Sequence, residues 1–222
     1  GRILGALERM GLLEDTLIVF ASDHGEFLGD YGCFGKRAML DAAAHIPLVV
    51  RYPAAFPCGE RCRVPASLVD VMPTILAAAN LEPQEGISGT DLAQLVRSPG
   101  QERTVYSQFQ RGAEGVYMAV NRYLKYVYSA PDRKEMLFDR VMDTEETRNQ
   151  AGLAFRQTQL AAMRAGLFAF FGEEGYEEPL DGEAWRLYPQ PDWSSDPDAG
   201  LLIQDHGWAI PSQHIAGYSP EP

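Results

Sequence analysis

Thr16-Leu17-Ile18-Val19-Phe20-Ala21 is an unbroken apolar, β-rich run that stops abruptly at Ser22-Asp23-His24-Gly25. A strand with one wet face alternates polar and apolar residues; one that does not alternate needs cover on both faces. The run therefore predicts a strand of a parallel sheet sandwiched by helices. Its polar end lies at the carboxyl edge, where open α/β sheets collect their sites. Ile46-Pro47-Leu48-Val49-Val50-Arg51 reads the same way, with Pro47 at the start, where a missing N–H costs least.

The rest of the chain arranges itself around these strands. Ile3, Leu7 and Met10 recur at helical spacing and Gly11 sits where a helix stops. The chain opens inside that helix, with neither an initiator Met nor a signal peptide, so it is expected to be a piece of something longer. Residues 53–63 read as a surface loop. Residues 70–79 read as a helix with Asp70 as N-cap and Pro73 in the first turn, and 90–97 as a shorter one. Near residue 103 the texture changes to short Tyr-, Val- and Phe-rich segments (104–109, 116–120, 123–128, 136–139), which predict a small antiparallel sheet. Leu160, Met163, Leu167, Phe170 and Phe171 share one face of a helix that covers that sheet.

From residue 172 six acids fall within eleven residues, a solvated pattern. Trp185, Tyr188, Trp193, Trp208 and Tyr218 then lie among prolines, and are too apolar for a free tail, so an extended arm that rests on something is expected. Three parts result: 1–100, the C-terminal part of an α/β domain; 101–171, a small α+β subdomain; and 172–222, the arm. A homo-oligomer formed through the arm is expected.

Composition narrows the function. With 31 acids against 19 Lys and Arg the net charge is −12, which argues against a nucleic-acid partner bound through a broad basic surface. No strictly apolar run exceeds five residues, so no membrane-spanning helix is expected. Cys33, Cys58 and Cys62 make no disulfide framework. Cys58 and Cys62 could bridge, but reduced thiols and a cytoplasmic location are expected.

The chemistry concentrates at Asp23 and His24. Neighbouring strand residues point to opposite faces, so both reach one point only where the chain leaves the strand, and Gly25 permits a sharp departure. A carboxylate and an imidazole are reasonable ligands for a divalent cation. An ordinary turn, with Asp23 capping and His24 solvated, would use the same residues. Gly25, Gly29, Gly32 and Gly35 put four glycines into eleven residues, and Lys36 follows twelve residues after His24. A lysine beside a metal is a compact charge suited to a tetrahedral oxyanion; alone, it would read as a surface lysine.

Three stretches, 17–36, His45 to Arg51 and Ser67 to Leu76, resemble the C-terminal half of the sulfatases, in the alkaline phosphatase superfamily. Phosphonate monoester hydrolases are close by. The resemblance runs on through Arg122-Tyr123-Leu124-Lys125-Tyr126, Glu135 to Asp139 and Asp143 to Asn149, and covers roughly residues 1–170. It implies an alkaline-phosphatase-like mixed sheet sandwiched by helices, followed by a small antiparallel sheet packed on a C-terminal helix. It implies Asp23 and His24 as ligands of one divalent cation, Ca²⁺ or alternatively Mn²⁺, and Lys36 as the residue holding the sulfate and stabilising the leaving oxygen. Glu26 and His45 are implied as supports around those ligands rather than reactants.

None of the three cysteines has the context of the family's nucleophile, a formylglycine made from a Cys/Ser-x-Pro-x-Arg motif. By the resemblance it lies upstream of this chain, in the missing N-terminal segment of the same protein. The expected activity is hydrolysis of a small anionic sulfate ester, the fragment alone being inactive. A phosphonate monoester or phosphodiester hydrolase is the alternative, and a non-catalytic binding or assembly relative the second. A two-metal phosphodiesterase would need more His and Asp ligands downstream; His206 and His214 lie in the tail and not after a buried strand.

Overall fold

The computed structural model describes residues 1–32, 34–36, 38–82 and 85–189. Helix α1 (Arg2–Arg9) ends as expected, with Gly11 at a φ of +68°, a conformation glycine takes without a Cβ penalty. The two apolar runs form β1 (Ile18–Ala21) and β2 (Leu48–Arg51). Their direction differs from expectation. They pair antiparallel, from Ile18 opposite Arg51 to Ala21 opposite Leu48, because the intervening chain simply loops back and an antiparallel return needs no crossover. Nor does this chain cover both faces, since Phe20 is 62% and its cross-strand partner Val49 60% exposed. An apolar pattern shows how much surface calls for cover, not which segment supplies it.

Helix α2 (Asp41–Ala44) lies between β1 and β2, and α3 (Val71–Ala78) and α4 (Leu92–Arg97) follow β2. Asp91 caps α4 by accepting from the Ala93 N–H at 3.0 Å. Asp70 does stand just before α3, but its carboxylate does not cap that helix. It is fully buried, accepts from the Ser67 and Thr90 N–H groups, and takes the Arg103 guanidinium on both oxygens at 2.6 and 2.7 Å. A buried carboxylate needs that much compensation, and the bidentate fork supplies it better than a helix end.

The second half is built on one sheet. β3 (Val105–Phe109), β4 (Val116–Val120), β5 (Leu124–Ser129) and β6 (Lys134–Asp139) are all antiparallel, in the spatial order of the chain. On one face Tyr117, Ala119, Tyr126, Tyr128 and Leu137 pack against Leu160, Met163, Leu167 and Phe171 of α5 (Gln157–Glu173). That is the expected helix-on-sheet layer. Phe170, expected on the same face, lies at its margin and stacks on Tyr106 at 4.3 Å between centroids.

The other face is buried too. Val116, Met118, Val120, Val127, Met136 and Phe138 share a core with Phe27, Ala38, Met39, Leu40 and Ala43. The small sheet is therefore the floor on which the loop after β1 rests.

The beginning of the arm lies on this same body. β7 (Leu180–Asp181) and β8 (Ala184–Trp185) form a minimal hairpin. Trp185 is buried, stacks on Tyr128 at 4.0 Å and donates its Nε1–H to the Tyr126 hydroxyl at 2.8 Å. Trp193, Trp208 and Tyr218, with His206 and His214, lie outside the described residues. No described helix is long and apolar enough to cross a membrane, and Cys58 and Cys62 are free thiols.

Candidate functional site

Immediately after β1 the chain turns and brings Asp23 and His24 to one point. The His24 N–H donates to Asp23 Oδ1 at 3.0 Å, and His24 Nε2 stands 3.5 Å from Asp23 Oδ2. His24 Nδ1 lies 2.7 Å from the Gly25 carbonyl oxygen. A carbonyl only accepts, so Nδ1 donates to it and Nε2 is left to accept. Lys36 Nζ is 2.7 Å from that Nε2. Carboxylate, imidazole lone pair and ammonium thus converge on the rim of one cleft. The Asp23 carboxyl is held below its usual value by the backbone N–H groups of Asp23 and His24.

The reason for Gly25 differs from the one the sequence suggested. Its φ is not in the left-handed region. What it provides is space. A Cβ on Gly25 would lie 2.0 Å from the Ala42 carbonyl oxygen, and the Gly25 N–H donates to Ala43 O at 2.8 Å. The turn is seated backbone-to-backbone on α2. Gly29, Gly32 and Gly35 do use positive φ, at 105°, 72° and 92°, and so curl the loop back to deliver Lys36. Glu26 closes this loop by accepting from the Gly35 N–H, and the Phe27 N–H donates to Gly35 O at 2.9 Å. Phe27, 1% exposed, pins the loop into the core.

His45 stands on the same cleft, 3.4 Å through Nδ1 from Asp41 Oδ2. Asp41 belongs to a buried cluster that sequence reading did not single out. Lys125, 1% exposed, forms ion pairs with Asp41 and with Glu146 Oε1, the latter at 2.5 Å. Glu146 Oε2 accepts from the Asp41 N–H at 2.6 Å. Burial pushes the Asp41 carboxyl up, but His45 and Lys125 outweigh it and hold it below the usual carboxylate range. Asp41 raises His45 in return, against the effect of burial. Burial raises Glu146, and Lys125 offsets only part of that. One signal could have revealed the cluster: β5 alternation places Lys125 on the same face as Val127, which is an inward face.

Asp23 and His24 offer one carboxylate and one imidazole nitrogen, a donor set that fits a divalent cation. No group of three or more His, Cys, Asp or Glu residues suited to a metal occurs among the described residues. A hard cation takes six or more ligands, so these two by themselves would not complete a site.

The comparisons with known proteins point to one family. The sulfatase family model matches residues 1–81. Arylsulfatase K of Xenopus laevis is 34% identical over 167 residues, covering 68% of this chain and 31% of its own length. A protein solved in complex with its substrate D-glucosamine-2-N,6-O-disulfate superposes with a TM-score of 0.70 at 27% identity, over 81% of this chain and 38% of that one. The phosphonate monoester hydrolase of Agrobacterium radiobacter superposes with a TM-score of 0.66 at 26% identity, over 78% and 38%. The chain spans between 18% and 32% of the length of the curated relatives that head the comparison. On the family model, the relatives and the solved folds together, the chain belongs to the sulfatase family, within the alkaline phosphatase superfamily.

Proposed function

We propose that this chain supplies the C-terminal half of the active site of a metal-dependent hydrolase of sulfate esters. The observation that carries the reading is the convergence of Asp23, His24 and Lys36 on one cleft in a sulfatase-family chain. Asp23 and the Nε2 lone pair of His24 would hold the divalent cation, Ca²⁺ or Mn²⁺. Bound there, such an ion acts as a Lewis acid on an ester oxygen.

Lys36 places an ammonium beside the same point. With an anionic ester in the cleft it turns from His24 toward the ester's oxygens and stabilises charge developing on the leaving group. Glu26 keeps the loop closed so that Lys36 stays aimed. Ser129-Ala130-Pro131-Asp132-Arg133 has the spacing of the formylglycine motif, but Ser129 is buried, donates to Asp132 Oδ2 at 2.5 Å and does not line the cleft, so the nucleophile and the remaining ligands come from residues outside these 222. The net charge of −12 does not repel the substrate, because the ion and Lys36 set the local sign.

The full-length enzyme should hydrolyse an aryl sulfate, with chelator abolishing and Ca²⁺ or Mn²⁺ restoring turnover. A larger kcat/KM for a phosphonate monoester would favour the alternative that the Agrobacterium structure raises. Inactivity on both esters, with the metal bound, would point to a non-catalytic relative.

A further inference from the structure

The turn that carries Asp23 and His24 makes few contacts of its own: the Asp23 side chain is 84% exposed and that of His24 40%. Its seat is α2, through Gly25 N–H to Ala43 O and through the close approach of Gly25 to Ala42 O. α2 is only four residues long and so cannot hold its own position. Ala43 packs it on the core of the small sheet, and its first residue is fixed where Asp41 receives the Lys125 ammonium through its carboxylate and lends its N–H to Glu146.

Lys125 comes from β5 and Glu146 from the turn after β6. Nearly the whole Lys125 side chain is out of water, and such a charge persists only where it is fully paired. Apolar packing could have joined sheet and loop at this spot, as it does at Met118 and Leu40 nearby. An ion pair differs in fixing one geometry, since carboxylate and ammonium must meet within hydrogen-bond range.

Resting on the sulfatase reading, we propose that Lys125 is a positioning residue: with Glu146 it locks Asp41, and so sets α2 and the Asp23–His24 turn seated on α2 at the distance from Lys36 that the reaction needs.

The test uses the full-length enzyme. Lys125→Met alone leaves two carboxylates buried together and can simply unfold, so the deciding variant is Lys125→Met with Glu146→Gln, which removes one charge of each sign. Two measurements are made on it. Hydrogen exchange over residues 24–28, which needs no activity, should be about tenfold faster than in the parent while β4 and β5 stay protected. Turnover of the aryl ester per folded molecule should fall about a hundredfold, the scale of a 1 Å misplacement, with KM within about twofold. Lys125→Arg, which keeps the charge but not the reach, should recover part of the turnover. Unchanged exchange at 24–28 would overturn the proposal. So would faster exchange with full turnover, which would make the cluster merely structural. Should the parent hydrolyse no ester, the sulfatase reading fails by itself, and the exchange result still decides whether Lys125 holds the turn.

Discussion

Lys36 is exposed, so its value lies in charge and not in packing. In the full-length enzyme Lys36→Ala should leave the melting temperature unchanged and lower kcat by about 10²–10³, as for removal of one transition-state donor. Gly25→Ala tests the opposite case, a residue whose side chain is the problem. The added Cβ meets backbone at 2.0 Å, which no rotamer relieves, so turn and helix must part. Turnover should drop by at least about tenfold, with a measurable loss of melting temperature. The Asp41–His45 pair adds a pH signature. Asp41 raises the His45 pKa, so the pair's contribution to stability is full below the ordinary value of about 6.5 and fades as pH rises through the raised value. The gap in melting temperature between parent and His45→Gln should therefore be wider at pH about 5.5 than at pH about 8.5. Asp41, held low, acts in the other direction: its contribution is present above the usual carboxylate range and lost in acid, as pH falls through the depressed value.

Elements hold this site through surfaces that helices and strands present in pairs. α5 matters because it covers the far face of the sheet on which the active loop lies. Leu167→Ala, at a position 1% exposed, should cost about 2–5 kcal/mol of stability in chemical denaturation. The β7–β8 hairpin adds Trp185 to the same layer, between Tyr117, Tyr128 and Phe168. Trp185→Ala should cost about 3–5 kcal/mol, and the Tyr126 hydroxyl keeps Glu135 as an acceptor at 2.6 Å, so no orphaned polar group is added. A melting temperature unchanged by that substitution would mean that the arm merely rests on the body. Between Ser67 and Arg103, by contrast, a charge makes the joint: Asp70→Ala strands the Arg103 guanidinium and should cost about 3–5 kcal/mol.

At the scale of the whole molecule the 222 residues are expected to show no turnover of an aryl sulfate when purified alone, because on the proposed reading Asp23 and His24 are too few to complete the metal site and the nucleophile lies outside the chain; hydrolysis by the isolated chain would show that the nucleophile lies within it. Much of this organisation was legible in the sequence. Helix α1, the strands from β1 to β6 and the sheet-facing side of α5 follow from periodicity and turn residues, which are local properties of the chain. The spacing of Asp-His-Gly and Gly-Lys marked the three residues that meet in the cleft. The parts that only the tertiary structure decided are contacts between distant segments: the antiparallel return of β2 onto β1, the Asp70–Arg103 pair, the second buried face of the small sheet, and Lys125 under Asp41. Periodicity records how much surface an element buries and on which side, whereas the identity of its neighbour depends on how the whole chain closes. Gly25 shows the difference in one residue, since its φ lies outside the left-handed region and it is the approach of α2 that leaves no room for a side chain there.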